Sequence, residues 1–301
     1  MSRLRSVIGK RLAVTVKPEI AAAARAICDR LGGVAVLFYG SVLRTGDLDG
    51  VLDFYVLRPD SSDATILSRW LWPDVSYHEV PVGDAIIRAK VATMPLRVFE
   101  RATAGEFLDT TIWARFVQPT GLVWAADAIV RERVVDAIST AAVTAARFAT
   151  ALGPAQGAAH DYWASLFRAT YAVELRVERS GRETQILSFD TEHFDALLPL
   201  AWDTDGIEYR RTGETLIPHL TSPARGALIK AWETRRRMGK PLNVARLIKA
   251  AFTFEGATRY ALWKIERHTG VALTVTPWRE RHPILAAPGV LWRVWRTAGA
   301  R

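Results

Sequence analysis

Two short apolar runs joined by a polar loop constrain this chain more than any other feature. Val34-Ala35-Val36-Leu37-Phe38-Tyr39 is continuous in apolar residues and stops at Gly40-Ser41, the pattern of a buried strand. A loop holding Arg44, Gly46, Asp47, Asp49 and Gly50 follows. Val51-Leu52-Asp53-Phe54-Tyr55-Val56-Leu57 then makes a second strand, closed by Pro59-Asp60. A hairpin whose turn happens to be rich in Asp and Gly would account for the loop. It does not account for Asp53, which sits inside an otherwise apolar strand where an unpaired carboxylate is expensive to bury.

Around this pair the pattern predicts mixed α and β structure. Pro18 to Asp29 reads as an Ala-rich helix with proline in its first turn, ended by Leu31-Gly32-Gly33. Thr65 to Leu71 reads as helical, and Tyr77 to Val82 and Ile86 to Ala92 as strands. A helix is predicted from Phe99 to Trp113, running on through a break at Pro119 to Val123-Trp124. Beyond Asp127 the 3.6-residue period dominates: Ile129 to Ala151, broken by Gly153-Pro154, then Asp161 to Val177. Ser222 to Met238 and Val244 to His268 follow, separated by Gly239-Lys240-Pro241. No repeat of 20–50 residues is present. The expected organisation is α+β: a first domain over residues 1–126, a mainly helical second domain over 127–280, and a basic, Trp-rich segment over 281–301.

The formal charge of +9, from 40 basic against 31 acidic residues, favours polyanionic partners: nucleic acid, nucleotides or an anionic membrane face. The 11 tryptophans suit either a membrane interface or an aromatic core, and for most of them the core is the expectation. Cys28 is the single cysteine, so internal disulfides and cysteine-based zinc sites are excluded and metal chemistry must rest on carboxylates or histidines. The six histidines show no metal-ligand spacing. The most apolar stretch, Ala137 to Leu152, is full of Ala and Thr and contains Arg147, which reads as a packed helix and not a span. The first twelve residues carry Arg3, Arg5, Lys10 and Arg11 with no acid, and no long apolar run follows. The expectation is a soluble or peripheral protein of a reducing compartment.

A strand ending in Gly-Ser, a loop, and a strand bearing an inward Asp is what nucleotidyl transfer asks for. Backbone N–H groups must approach a triphosphate closely, which requires glycine at the turn, with a small hydroxyl beside it as a further donor. Carboxylates must hold magnesium, which takes oxygen ligands and bridges phosphates. Gly40 and Ser41 meet the first need, and Asp53 with Asp49 or Asp47 the second. The usual pattern places two acids one residue apart on the second strand; here the residue two before Asp53 is Val51. Asp47-Leu48-Asp49 has that spacing but precedes the strand, which leaves a loop acid or a more distant one, such as Glu79, as second ligand.

The stretch Phe38-Tyr39-Gly40-Ser41 … Gly50-Val51-Leu52-Asp53-Phe54 resembles the mitochondrial-type CTP:phosphatidate cytidylyltransferases, the translocator assembly and maintenance family, which has a Tyr-Gly-Ser turn followed by a single-acid Asp-Phe strand. Arg88-Ala89-Lys90-Val91 lies where that family has a Lys-Tyr-Gly-Val strand. Trp113-Ala114-Arg115-Phe116-Val117-Gln118-Pro119 is similar to its aromatic, Gly-Arg-Leu, Lys-Pro segment, with Gln118 where a lysine stands. Phe254-Glu255-Gly256 to Tyr260-Ala261-Leu262-Trp263-Lys264 is similar to a basic, aromatic C-terminal segment. The resemblance covers about half the chain, and only its Gly-Ser to Asp-Phe block is distinctive. It implies a nucleotidyltransferase-fold mixed sheet with flanking helices, then a winged-helix-like helical domain, making CDP-diacylglycerol from CTP and phosphatidate. Gly40 and Ser41 would grip the triphosphate, Asp53 and Asp49 would hold Mg2+, and Lys90 and Arg115 would neutralise phosphate charge. Asp53, Ser41 and Lys90 would be the catalytic group. Without the resemblance Lys90 and Arg115 read as two surface cations among many.

If Val290 to Arg296 is helical, Val290, Leu291, Trp292, Val294 and Trp295 form one apolar face with Arg293 and Arg296 opposite. That is an interfacial helix for lipid phosphates or a docking helix for the second domain, and Trp278, Arg279, Arg281 and His282 continue its basic-aromatic mix. Arg235-Arg236-Arg237 and Lys240 read as a solvated helix end. The implied location is cytoplasmic, peripheral on the inner face of a membrane, with no stable nucleic-acid partner. Two rivals remain: a nucleotidyltransferase acting on a soluble acceptor (an aminoglycoside, RNA or protein), and an inactive nucleotidyltransferase-like binding module.

Overall fold

A computed structural model describes residues 2–13, 15–40, 42–43, 50–60, 71–173, 182–269, 274 and 276–278. Thr65 to Trp70, the end of the helix predicted to Val177, and the predicted helix Val290–Arg296 lie outside these residues. The fold is α+β, a five-stranded mixed sheet flanked by helices. Strands β1 (Ala35–Tyr39), β2 (Val51–Arg58), β3 (Asp74–Val82), β4 (Ala85–Pro95) and β5 (Gly121–Ala125) lie in the order β3-β4-β2-β1-β5. β2 and β4 run parallel, and the other neighbours antiparallel.

Every residue of β1 is buried, because both faces of the sheet are covered. On one face Val36, Phe38, Phe54, Val56, Ala89 and Val91 pack under α2 (Pro18–Leu31) through Ile20, Ala23 and Ile27. Gly32 stops α2 in the left-handed conformation, φ +62°, as expected of a helix C-terminus. The other face presents Leu37, Tyr39, Tyr55, Leu57, Ala92 and Met94 to a larger core built by the helices.

The first of those helices is α1 (Arg3–Leu12), capped by Ser2, whose side chain accepts from the Arg5 N–H. It buries Leu4, Ile8 and Leu12, worth roughly 1.5–3 kcal/mol each, so the basic N-terminal stretch is part of the fold. The single helix expected from Phe99 onward is instead two short ones and a strand. α3 (Leu96–Thr103) ends before Gly105, which takes φ +72°; α4 (Thr111–Phe116) follows, and Gly121–Ala125 is β5. Pro119 could not continue a helix, and the residues after it complete the sheet edge.

α5 (Ala128–Leu152) is the centre of the helical half, capped by Asp127 on the Val130 N–H at 2.8 Å. By length and composition it could cross a membrane, yet 78% of its apolar window is buried inside the protein, and Arg147 pairs with Asp205. Its alanines allow close approach by α6 (Ala159–Val173) and α8 (Thr191–Asp205). α7 (Arg182–Phe189) precedes α8. A small hairpin, β6 (Tyr209–Thr212) and β7 (Thr215–Pro218), adds to the expected helices, with Gly213 at φ +60° in its turn. Of the eight described tryptophans, Trp113, Trp163 and Trp202 are fully buried and Trp72 and Trp232 nearly so, Trp124 and Trp263 are partly buried, and Trp278 is exposed; among these eight the aromatic-core expectation holds for five.

α9 (Ser222–Thr253) runs without interruption through Gly239-Lys240-Pro241, where a break was expected. A Cβ on Gly239 would lie 2.1 Å from Val173 Cγ1 and 2.8 Å from Val173 O. The glycine is there for close helix packing. The expected solvated arginine cluster is corrected with it. Arg235 is buried, stacks over Phe148 and donates to the carbonyls of Gly105 (2.6 Å) and Phe107; Arg236 and Arg237 stay at the surface beside Glu233. The end of α9 is tied to the sheet edge by Lys249, which pairs with Asp74 and donates to Leu71 O at 2.8 Å. Tyr77 N then donates to Glu255 O (2.8 Å), and α10 (Ala257–Thr269) packs Tyr260 on Tyr77. The large apolar cluster crosses residue 126 without a gap.

His193 is buried in α8, and its Nε2–H donates to the Val117 carbonyl at 2.9 Å. Burial, the main cause, holds its pKa below the usual value, as it does for His78. In the unfolded chain each titrates near about 6.5. Below that pH the unfolded state takes up protons the fold refuses, so stability is lost as pH falls. Urea denaturation should show stability dropping below pH 6.5, by up to about 1.4 kcal/mol per pH unit for each histidine. His193→Gln should remove part of that slope; an unchanged slope would mean His193 is protonated in the fold.

Candidate active site

The end of β1 gathers several of the residues singled out above. Antiparallel pairing sets Tyr39 opposite Asp53, and parallel pairing sets Asp53 beside Lys90. Directly paired residues share a face, so Tyr39, Asp53 and Lys90 form one row facing the helical half; Tyr77 extends it on β3. Asp53 and Lys90 are half-buried. Gly40 closes the strand at φ +93°, and a Cβ there would lie 2.6 Å from Asp53 Oδ2. Glycine at position 40 is therefore required twice, by its backbone conformation and by the carboxylate that fills the space its side chain would need. The notch formed by a bare backbone against a carboxylate suits an oxygen-bound cation, and the bare backbone lets an anionic ligand come close enough to accept from backbone N–H groups.

Arg115 reaches the same place from α4. Its guanidinium lies 4.8 Å from the Tyr39 ring centre, a cation–π contact. Phe116 anchors α4 by packing edge-on against Tyr55 (5.0 Å) and Phe99 (4.9 Å) and beside Tyr39. Just before α4, Asp109 accepts from the backbone N–H and hydroxyl of Thr111, and from Arg246 at 2.7 Å. The Asp109–Arg246 pair is largely shielded, with side chains 12% and 18% exposed, so it acts more strongly than a surface pair. Tyr55 is within electrostatic reach of Arg115, Asp109 and Arg246. Burial pushes its phenol far above the usual value, opposed first by Arg115, so it stays a neutral hydroxyl.

Of the predicted site residues, the structure brings Gly40, Asp53, Lys90 and Arg115 together. Ser41, Asp49 and the Asp47 alternative lie outside the described residues. Glu79 is not a partner for Asp53: β4 intervenes, about 10 Å of strand spacing, and Glu79 accepts from the Tyr77 hydroxyl at 3.1 Å and faces Arg88. Val51, where a second acid is usual, is paired with Arg88. Among the described residues no group of three or more His, Cys, Asp or Glu side chains is placed to hold a metal ion; Asp53 is the carboxylate at this end of β1 that could offer oxygen to one. Tyr55, Asp109 and Arg246 were not singled out from the sequence. Asp109 and Arg246 are 137 residues apart, and no local pattern announces such a pair.

Gly40→Ala should cost more than the roughly 1 kcal/mol of backbone strain that Gly32→Ala costs, because nothing lies within 4 Å of a Cβ on Gly32. Adding Asp53→Ala to Gly40→Ala should recover part of the loss in chemical denaturation, a coupling of about 0.5–3 kcal/mol. Strict additivity would show that the carboxylate does not occupy the notch. Searched against protein-family models the chain matches none, and no curated protein matches it.

Proposed function

We propose that the chain is a magnesium-dependent nucleotidyltransferase that moves CMP from CTP to phosphatidate, releasing pyrophosphate and making CDP-diacylglycerol. The reading carries with it a nucleotidyltransferase-type assignment for the sheet and a winged-helix-like one for the helical half. The observation that supports it best is the Gly40 notch against Asp53, with Lys90 and Arg115 gathered at the same end of β1.

In this reading the backbone at Gly40-Ser41 receives the triphosphate, and the Ser41 hydroxyl adds a donor. Asp53, with Asp49, would hold Mg2+, which when bound neutralises phosphate charge. Lys90 contributes a point charge and Arg115 a fork able to grip two phosphate oxygens. A phosphatidate oxygen attacks the α-phosphorus of CTP; the new P–O bond forms as the bond to the β-phosphate oxygen breaks, and pyrophosphate departs. The attacking phosphate is already ionised, so no general base is needed. Positioning and charge neutralisation supply the catalysis.

A peripheral membrane location, on the cytoplasmic inner face, is supported by the charge of +9 and by the outer surface of α9. Val244, Leu247 and Ile248 are exposed there at 46%, 62% and 57%, with Arg236, Arg237 and Lys240 exposed one to three turns earlier. Apolar residues beside cations suit an anionic lipid surface.

The test is pyrophosphate release by the purified protein with each of the four NTPs and magnesium, with and without phosphatidate vesicles. Release is expected only with CTP and phosphatidate. In Asp53→Ala the rate should fall by about three orders of magnitude, since several kcal/mol of charge stabilisation at about 1.4 kcal/mol per tenfold would be lost. Release independent of lipid would move the acceptor to a soluble molecule. No release with any acceptor, from a folded protein that still binds nucleotide, would make it a binding module.

A further inference from the structure

A cavity of about 700 Å3 lies between α3, α4 and the middle of α9, within the range of about 300–1,000 Å3 usual for small-molecule sites. Its walls are apolar: Trp72, Val98, Phe107, Ile112 and Leu242 line it, with Met238 and Leu108 at its rim. Both rim residues are partly exposed, at 41% and 37%, so the cavity opens to the surface beside the exposed apolar stripe of α9.

Four charged side chains also line it, as two ion pairs. Arg101 is paired with Glu106 at 2.6 Å and Arg246 with Asp109 at 2.7 Å. The second pair marks the end that adjoins the candidate active site. Ile112 lines the cavity and Arg115 stands one turn further along α4, while Arg246 and Asp109 both act on Tyr55, the phenol beside Arg115. The lining is thus mostly apolar; the Arg246–Asp109 pair at its inner end balances its own charge, and the cation next along α4 is Arg115. A sugar or an aminoglycoside would press most of its hydroxyls and ammonium groups against Val98, Phe107, Ile112 and Leu242, with the acids of the lining already paired to arginines, which is costly. A hydrocarbon chain carrying an anionic head meets no such penalty.

We infer that this cavity takes one acyl chain of a phosphate-headed lipid, drawn out of the bilayer past Met238 and Leu108, with the phosphate at the Arg115–Arg246 end. The placement of the phosphate rests on the nucleotidyltransferase reading; the binding of the chain does not. The apolar lining then measures chain length, and α9 joins membrane contact to acceptor capture, because Met238 and Leu242 face the cavity while Val244, Leu247 and Ile248 face outward.

The test is calorimetric titration of the intact protein with hexyl, octyl and decyl phosphate below their micelle concentrations, with inorganic phosphate as a second arm. Affinity should rise about fourfold per added methylene, as for transfer of CH2 out of water. Leu242→Trp, which fills the cavity, should abolish the chain-length dependence and leave the weak binding of inorganic phosphate unchanged. Met238→Glu at the exposed rim should weaken decyl phosphate at least tenfold, and it decides the matter if Leu242→Trp does not fold. Affinity independent of chain length, or a dependence that survives in the folded variant, overturns the inference. Pyrophosphate release is measured separately on the same proteins. Chain-dependent binding without turnover of any NTP keeps the cavity and discards the reaction. Turnover of long-chain phosphatidate undiminished in Leu242→Trp keeps the reaction and discards the cavity.

Discussion

The register between β1 and β2 is the constraint on which the rest depends. It sets Tyr39 opposite Asp53 and so decides which side of the sheet carries the carboxylate. Slipping the pair by one residue would turn Asp53 toward α2, among Ile20, Ala23 and Ile27, where a charge has nothing to pair with. In the observed register Asp53 meets the open backbone of Gly40 and the neighbouring Lys90. The apolar residues on either side enforce that choice: Phe38 and Phe54 must lie under α2, Tyr39 and Tyr55 against α4. Burying four aromatic rings correctly is what holds one carboxylate in a place it would not otherwise occupy.

That register also recruits the helical half. Tyr39 and Tyr55 offer the surface on which Phe116 packs, and Phe116 fixes the short helix that carries Arg115. α4 is too short to be stable alone, and Asp109, which accepts from Thr111 at its start, is itself held by Arg246 of α9. α9 in turn lies against α5 through Trp232, Phe148 and Trp113. A chain of packed rings and one shielded ion pair thus connects the sheet end to a helix more than a hundred residues away in sequence.

How much of this was legible depends on whether the signal was local. The strands β1 to β4, the helix after Pro18 and the helix after Asp127 could be read because their residues repeat at the period of the element and their caps stand where they should. Asp53 was legible because a charge interrupts an apolar run. The helices around Gly105 and Gly239 were misread for opposite reasons. Gly105 does break the chain, at positive φ, where the apolar pattern seemed to continue. Gly239 does not, because its missing side chain makes room for the backbone of Val173. The same residue type reports a local need in one case and a tertiary one in the other, and only packing tells them apart. Arg235 follows the same logic. In sequence it is one of three adjacent arginines, yet its buried position over Phe148 lets it satisfy the carbonyls of Gly105 and Phe107, which the break after α3 leaves without helical partners.

Charge balance bears on the single acid of β2. A second carboxylate two residues before Asp53 would stand at Val51, paired with Arg88, which already faces Glu79 and lies over Trp263. An acid at that position would compete for Arg88, drawing on the contacts that hold the outer edge of the sheet to α10. With valine there, the described part of the site has one carboxylate against Lys90 and Arg115, and its other nearby acid, Asp109, is committed to Arg246. That described part is electropositive, and in a low-dielectric setting this favours polyanions over bare cations. The arrangement therefore suits a ligand that brings phosphate charge with it, such as a nucleoside triphosphate in its magnesium complex, better than a preformed two-carboxylate metal site. A departure from the two-acid pattern is thus consistent with phosphoryl-transfer chemistry, provided the anion and the cation arrive together.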